Sequence, residues 1–476
     1  MLKVTNGFIT DNNGSLITLR GVCVGGWMHK EDFINGYPGV EHELHEMSID
    51  ILGEKRALFL FDCMAEHFFN EDDVTYIKAC GANVIRLPLN YRSFESDSEP
   101  FSYIESGFKR LNLALTWCEK HELYVILDMH AVQGYQSTDW HCDNASRRAM
   151  LWNVPYYQDR FVALWEEFAR RYEGRTVIAG YNLMNEPHTK GIHGRLALKK
   201  DSNWSVINRL YRRTVEAIRL IDKDHIIFLE GDYYSQLFSG LEEPFADNLV
   251  YSSHNYSVPG SASTQYPGVI GDERWNREMI VKEFEEHEGT IFARKYGVPL
   301  WVGEFASVYT EPEMWDSRLA ALDDQIGVFE DFGAHWTVWT YKDLGFVGMV
   351  MPDPQCEYLQ RISPVIDKIT PMIPMTFLCE NKESMHTKMK IRELADVIKK
   401  IVGNPDIDSD YNAIMLELTV MHSYVCNMFQ PEYIKLFMNL QDSEISRIMQ
   451  SFDLKNCVER PVTHVLSKYF RKNMIT

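Results

Sequence analysis

The sequence predicts a (β/α)8 barrel over residues 1–376 and a small all-helical extension over residues 377–476. Three observations carry the barrel. Eight short apolar runs occur near residues 17–24, 83–87, 123–129, 177–184, 226–230, 249–254, 299–304 and 335–340, the length of buried strands. Helical patterns lie between most of them, and strand–helix alternation implies parallel strands joined by right-handed crossovers. Eight repeats suit a closed barrel, whereas the doubly wound alternative calls for a glycine-rich phosphate turn after the first strand, which is absent.

In chain order, residues 7–10 and 15–21 read as a hairpin around Asp11-Asn-Asn-Gly14. The first barrel strand follows directly, and a long segment, residues 23–70, leaves its C-terminal end. Residues 70–80 form a helix with Asn70 as cap, three acidic residues in the first turn and Gly81 as stop. Residues 103–120 and 156–172 carry apolar stripes at helical spacing, the second through Tyr157, Phe161, Leu164, Trp165, Phe168 and Tyr172. Looser helical patterns cover 203–220, 275–296 and 316–332. A second long segment, residues 131–155, follows the third strand on the same rim, where added loops build substrate sites. Beyond residue 376 the alternation stops. Residues 384–402 and 411–428 read as amphipathic helices that could cover the barrel mouth, join subunits or brace the fold.

The chemistry-bearing residues gather at strand ends. Arg86 ends strand two, His130 strand three, Asn185 and Glu186 strand four, His254 and Tyr256 strand six, and Glu304 strand seven, while Trp339 lies in strand eight. Catalytic groups of a barrel come from the C-terminal ends of several strands. Two carboxylates facing each other across such a mouth are what hydrolysis of a glycosidic bond requires. Singly each residue has a bland reading: Arg86 could pair with Asp128, His254 could be a satisfied core histidine, and Glu230 is a rival carboxylate that could cap a turn. Their joint placement favours a site.

Five motifs in order resemble glycoside hydrolase family 5: Arg20-Gly-Val-Cys-Val-Gly-Gly-Trp27, Gly81-Ala-Asn-Val-Ile-Arg-Leu-Pro88, Asn185-Glu-Pro187, His254-Asn-Tyr256 and Gly303-Glu-Phe305. Asp128-Met-His-Ala-Val-Gln-Gly-Tyr-Gln136 is most similar to the third-strand loop of the family's exo-glucanase-like members. The resemblance covers residues 15–370 and implies a retaining β-glycosidase that needs no metal or cofactor. By motif, Glu186 would be the acid/base and Glu304 the nucleophile. Asn185 would hold the 2-hydroxyl, Arg86 and Tyr256 would hold Glu304, His130 and His254 would line the scissile subsite, and Trp339 would be the sugar's floor. Asp139, Trp140 and His141 would contact sugar at the far end of the cleft. Physically, Arg86 would keep Glu304 ionised, and an anionic Glu304 would raise the proton affinity of Glu186.

Composition narrows the partners. A net charge of −20 disfavours nucleic acid and membrane surfaces, so a neutral small carbohydrate is the expected partner. Thirteen per cent aromatic residues can supply rings that stack on sugar faces. The first residues lack a secretory pattern, no run approaches a membrane span, and nine scattered cysteines form no Cys-x-x-Cys pair. Those features predict a cytoplasmic protein acting from the non-reducing end on short β-glucosides or β-gluco-oligosaccharides. β-Mannoside hydrolysis and endo-β-glucanase action are alternatives on the same fold. Two further rivals are a non-catalytic sugar-binding barrel and a metal-dependent hydrolase using His130 with Asp139, His141, Cys142 and Asp143.

Overall fold

The computed structural model describes residues 1–189, 202–257, 265–308, 314–371 and 382–474. It opens with a hairpin, β1 (Lys3–Thr5) and β2 (Phe8–Thr10), that turns at Asn6 and Gly7, both at positive φ. The predicted reversal at residues 11–14 is also present: Ile17 N–H bonds Ile9 O, so the following arm pairs back on β2. The first strand escaped the sequence reading because three residues are too few to show alternation.

The chain then runs through β3 (Arg20–Cys23), α1 (Asp32–Asn35), α2 (Glu41–Leu52), α3 (Glu54–Phe68) and α4 (Glu71–Cys80) to the second barrel strand, β4 (Val84–Asn90), which α5 (Glu105–Lys120) follows. The cap at Asn70 is real: its side chain accepts from Asp72 N–H, and Gly81 ends α4 in the left-handed region. The long segment after the first barrel strand is therefore largely helical, a feature its sequence did not announce.

Then come β5 (Tyr124–Ala131), α6 (Pro155–Tyr172), β6 (Ile178–Asn182), α7 (Trp204–Arg219), β7 (Ile226–Glu230), the one-turn α8 (Asp232–Ser235) and β8 (Leu249–His254). A small hairpin, β9 (Gly268–Ile270) and β10 (Glu273–Trp275), precedes α9 (Arg277–Glu286) and α10 (Glu288–Tyr296). The barrel ends with β11 (Leu300–Glu304), α11 (Trp315–Asp331) and β12 (His335–Val338).

All eight predicted strands pair in parallel into a closed barrel, in the order β11-β12-β3-β4-β5-β6-β7-β8. Alternation along each strand separates two cores. Val84, Ile126, Ile226, Phe228, Val250 and Trp301 plug the inside, beneath the catalytic rim. Outward residues such as Leu87, Leu127 and Val302 join the larger layer under the helices. The inward set ends at the C-terminal rim in Arg86, Asp128, His130, Glu230 and His254, all buried.

After β13 (Val350–Pro352) and α12 (Glu357–Ile369), the chain continues as α13 (Lys382–Val402), α14 (Ser409–Leu418), a π-helical run (Thr419–Val425), α15 (Cys426–Lys435) and α16 (Asp442–Met449). It closes with β14 (Cys457–Glu459) and α17 (Val462–Phe470), β14 pairing antiparallel to β13. These elements hold the barrel at several places. Phe470 stacks on Trp336 of β12 (5.2 Å between centroids), and Lys342 Nζ donates to Phe452 O (2.7 Å) and Asp73 Oδ1 (2.8 Å). At the mouth, His422 Nδ1 lies 2.9 Å from Asp32 Oδ2. Among the described residues no helix is long and apolar enough to cross a membrane.

Candidate active site

Two local irregularities aim the paired carboxylates. Trp301 points into the barrel, so strict alternation would send Glu304 outward. A register shift between Val302 and Glu304 against β8 swings it back to the mouth. Gly303 permits that close approach, since a Cβ there would meet Ser252 Oγ at 2.6 Å. Glu186 sits just past β6 with φ +44°, a left-handed conformation that turns the chain at the rim. Its N–H donates to Glu230 Oε2 (2.8 Å). Glu230 lies beneath the site, fully buried, and does not line the cavity above it.

One carboxylate oxygen of Glu186, one of Glu304 and a ring nitrogen of His254 lie within 4.8 Å of one another. Glu304 Oε1 accepts from Arg86 Nη1, and Glu304 Oε2 accepts from Tyr256 OH (3.0 Å). Arg86 is completely buried and also donates Nη2 to Asn185 Oδ1 (2.7 Å), with Asp128 Oδ2 at 3.0 Å. Burial works against its charge, but Asp128 and Glu304 outweigh burial and hold the guanidinium's proton more tightly than usual. Asn185 is thereby fixed through its oxygen, while Asn185 Nδ2 faces His130 Nε2 (3.2 Å). His130 Nδ1 is bonded to Asp128 Oδ2 (2.7 Å). Burial first, then the neighbouring His29 ring and Arg86 guanidinium, lower the proton affinity of the His130 ring well below the ordinary imidazole range.

Glu186 is held by two imidazoles. His254 Nδ1 is 2.7 Å from Oε1, and His141 Nε2 is 3.2 Å from Oε2. Burial raises its proton affinity, but the neighbouring His141 and His254 imidazoles, the second hydrogen-bonded to it, more than reverse this and hold the carboxyl well below its usual range. The expectation of a Glu186 made more basic by Glu304 is thus corrected for the free protein, where the neighbouring imidazoles lower its proton affinity instead. Burial opposes the His254 charge, yet Glu230, Glu304 and Glu186 hold it protonated far above the ordinary imidazole range.

The cavity above these groups measures about 300 Å³. Trp339 and His130 both line it with their rings nearly parallel (5.4 Å, 13°), and Gly25 leaves room for the indole, which a Cβ would meet at 2.8 Å.

The loop after β5 departs from its expected place. Trp140 and His141 line the central cavity, and His141 touches Glu186 instead of a distant subsite. The cause is a buried anchor: Asp143 accepts from His42 N–H (2.8 Å) and Asn90 Nδ2 (3.0 Å), and His141 O meets His29 Nε2 (2.7 Å), so the loop folds inward. Asp139 does not line the cavity and accepts from Tyr234 OH. Asp139, His141 and Asp143 therefore face three different partners, and the proposed metal grouping along this loop does not assemble. Among the described residues, the triads whose donors do converge are Glu186 with His254 and Glu304, and His29 with Glu31 and His130.

Glu31 escaped the sequence reading. It is buried in the cavity wall 3.7 Å from His130 Nε2. Burial first, then Glu304, Asp32 and Glu186, push its proton affinity well above the carboxylate range, so it offers a hydroxyl donor as well as an acceptor. Its sequence signal was slight: a carboxylate a few residues past a strand end. Tyr234 was equally hidden, presented by α8, where Tyr233, Tyr234 and Ser235 all have positive φ.

The comparisons with known proteins agree with this geometry. Residues 54–345 match the family profile described as Cellulase (glycosyl hydrolase family 5). A β-xylosidase of Phanerodontia chrysosporium is 34% identical over 475 residues, 96% of each chain. The chain belongs to glycosyl hydrolase family 5. Endoglucanase C of Acetivibrio thermocellus is 25% identical, over 59% of this chain and 85% of that one. Among solved structures, an endogalactoceramidase superposes with a TM-score of 0.52 at 17% identity, covering 72% of this chain and 75% of that chain, which shows the shared barrel. This family 5 member is a glycosyl hydrolase.

Proposed function

We propose that this hydrolase is a retaining β-glycosidase that releases one sugar from the non-reducing end of a short β-glucoside, with Glu304 as nucleophile and Glu186 as acid/base. The supporting observation is the spacing of the pair. Carboxyl groups about 5 Å apart leave no room for a water between nucleophile and anomeric carbon, whereas inversion needs roughly 6.5–9.5 Å. Glu304 attacks C1 as the bond to the leaving oxygen breaks. Glu186 delivers a proton to that oxygen, having received it from His254 across the 2.7 Å contact. The glycosyl ester on Glu304 then yields to water, whose proton returns to Glu186 as the ester bond breaks and the Glu304 carboxylate re-forms.

Exo action is supported by the walls. Phe33 from the loop after β3, Trp140 from that after β5, and Phe346 after β12 surround the cavity, with α14 over it. That is a pocket's outline; a cleft for internal cleavage would run open at both ends. The sugar reading draws on relatives: besides the β-xylosidase, a glucan 1,3-β-glucosidase of Schizosaccharomyces pombe is 25% identical over 72% of this chain. The first of these supports β-xyloside as a second reading.

The experiment is a panel of 4-nitrophenyl β-glucoside, β-xyloside and β-mannoside, with the first-formed anomer read by proton NMR. We expect β-glucoside turnover and a β product. An α product first, or rapid viscosity loss of a long β-glucan, would overturn the reading.

A further inference from the structure

Resting on that reading, we propose that the leaving-group side of the pocket is an apolar site completed by α14, and that the substrate's aglycone is a bulky apolar alcohol instead of a second sugar. The cavity wall divides by chemistry. Hydrogen-bonding groups gather around the acidic pair, where a sugar ring needs them. Phe33, Val308, Phe346 and Val347 from the barrel loops, with Ile414 and Leu418 from α14, supply the apolar remainder.

The helix sits on the acid's own side. Tyr411 at its start packs on His188, two residues beyond Glu186 (5.3 Å), and on Tyr233 (5.9 Å). Thr138 Oγ1 donates to Met415 Sδ (3.7 Å), and the π-helical run after it is tied by His422 to Asp32. Held at both ends, α14 points Ile414 and Leu418, one turn apart, at the cavity. Ile414 remains 47% exposed, an apolar surface that a ligand in the mouth would cover. The oxygen that Glu186 protonates therefore departs along a path walled by branched aliphatic chains. A second sugar there would exchange hydrated hydroxyls for contacts that cannot bond them, which is costly. An alkyl or fused-ring aglycone would gain from the same walls.

The test compares kcat/KM of the full-length enzyme on methyl, butyl and octyl β-glucoside and on cellobiose. A fully buried methylene is worth roughly fourfold, so half-burial of each, roughly twofold, makes the rise from methyl to octyl roughly a hundredfold, with octyl β-glucoside well ahead of cellobiose. Ile414→Asp and Leu418→Asp should each flatten that rise. A flat series in the unaltered enzyme, or cellobiose as the better substrate, overturns the proposal without recourse to a variant. A slope untouched by either substitution in a folded variant also overturns it, because α14 would then not be the wall. Hydrolysis of 4-nitrophenyl β-glucoside separates the two claims: if it proceeds while the alkyl series is flat, only the apolar site fails. If no aryl glycoside is cleaved, the retaining-glycosidase reading fails. Cholesteryl against dodecyl β-glucoside, in the same mixed micelles, tells a fused-ring aglycone from a linear one, and preference for either over cellobiose supports the proposal.

Discussion

Glu186→Ala should divide substrates by their leaving groups. A phenolate carrying two nitro groups departs without a proton, whereas an alkoxide or simple phenolate needs one as the bond breaks. General acids contribute about 10²- to 10⁴-fold in such steps. The structure places the loss toward the lower end. His254 and His141, at 2.7 and 3.2 Å from the Glu186 oxygens, stay behind and can pass a proton through water filling the vacated space. We therefore expect kcat/KM on phenyl or alkyl glycosides to fall roughly 10²- to 10³-fold, or about 3–4 kcal/mol in the barrier. On a dinitrophenyl glycoside the fall should be less than about tenfold, with kcat now limited by hydrolysis of the ester, which lacks its base. The assay is a plot of log kcat/KM against leaving-group pKa for a set of aryl glycosides, shallow for the parent enzyme and steep for the variant. Parallel plots, meaning equal loss on every substrate, would remove Glu186 from the acid role.

Three more perturbations test the same geometry. Glu304→Ala should lose turnover and regain part of it with azide, giving an α-glycosyl azide by NMR; a β-azide would mean that the two roles are exchanged. Burial disfavours the His254 proton but Glu230, Glu304 and Glu186 retain it above the ordinary imidazole range, so it is lost only at high pH. In His254→Asn the alkaline limb of kcat/KM should move to lower pH, and an unmoved limb with a uniformly lower rate would make His254 purely structural. Burial, helped by Arg20, depresses His335 to about 4, and its Nδ1 accepts from Leu19 N–H (3.0 Å). The folded ring binds a proton less readily than an unfolded one, whose pKa is about 6.5, so this contribution is whole above that pH. It is lost as pH falls toward 4, by up to about 3 kcal/mol. His335→Asn keeps an acceptor and removes the titration, so its Tm should fall less steeply than the parent's between about pH 6.5 and pH 4.5; equal slopes would refute this.

The barrel was readable because its strands are buried on both faces and so appear as unbroken apolar runs, each ending where a polar residue meets the rim. Gly303 beside Glu304 was readable as a motif, but the register shift that turns Glu304 inward leaves no local mark. Helix α2 was silent for a different reason. Only Glu41, Leu44 and Ser48 are buried in it, so it lacks the apolar stripe that announces a helix. Glu31 and His141 were misjudged or missed because long-range contacts place them: His29 with His141 O, and Asp143 with His42 and Asn90. The protonation of Glu186 was misread on the same ground. Its dominant partners, His254 at the end of β8 and His141 in the loop after β5, are ones that spacing cannot bring together.

The partners of the two carboxylates differ in a way that supports their assignment. Glu31, Asp128, Glu186, Glu230 and Glu304 crowd one buried rim with Arg86, His254 and His141 as its cations. All five acids cannot ionise together in such a place, and burial lifts the proton affinity of Glu31 well above the ordinary carboxylate range. What remains is unequal. Glu304 is bound to a guanidinium that does not titrate, which suits a nucleophile that must be ionised when it attacks. Glu186 is bound to imidazoles that do titrate, which suits a group that must give a proton in one half of the cycle and take it back in the other. Exchanging the roles would ask the arginine-bound group to carry the moving proton, against the strongest fixed charge in the pocket.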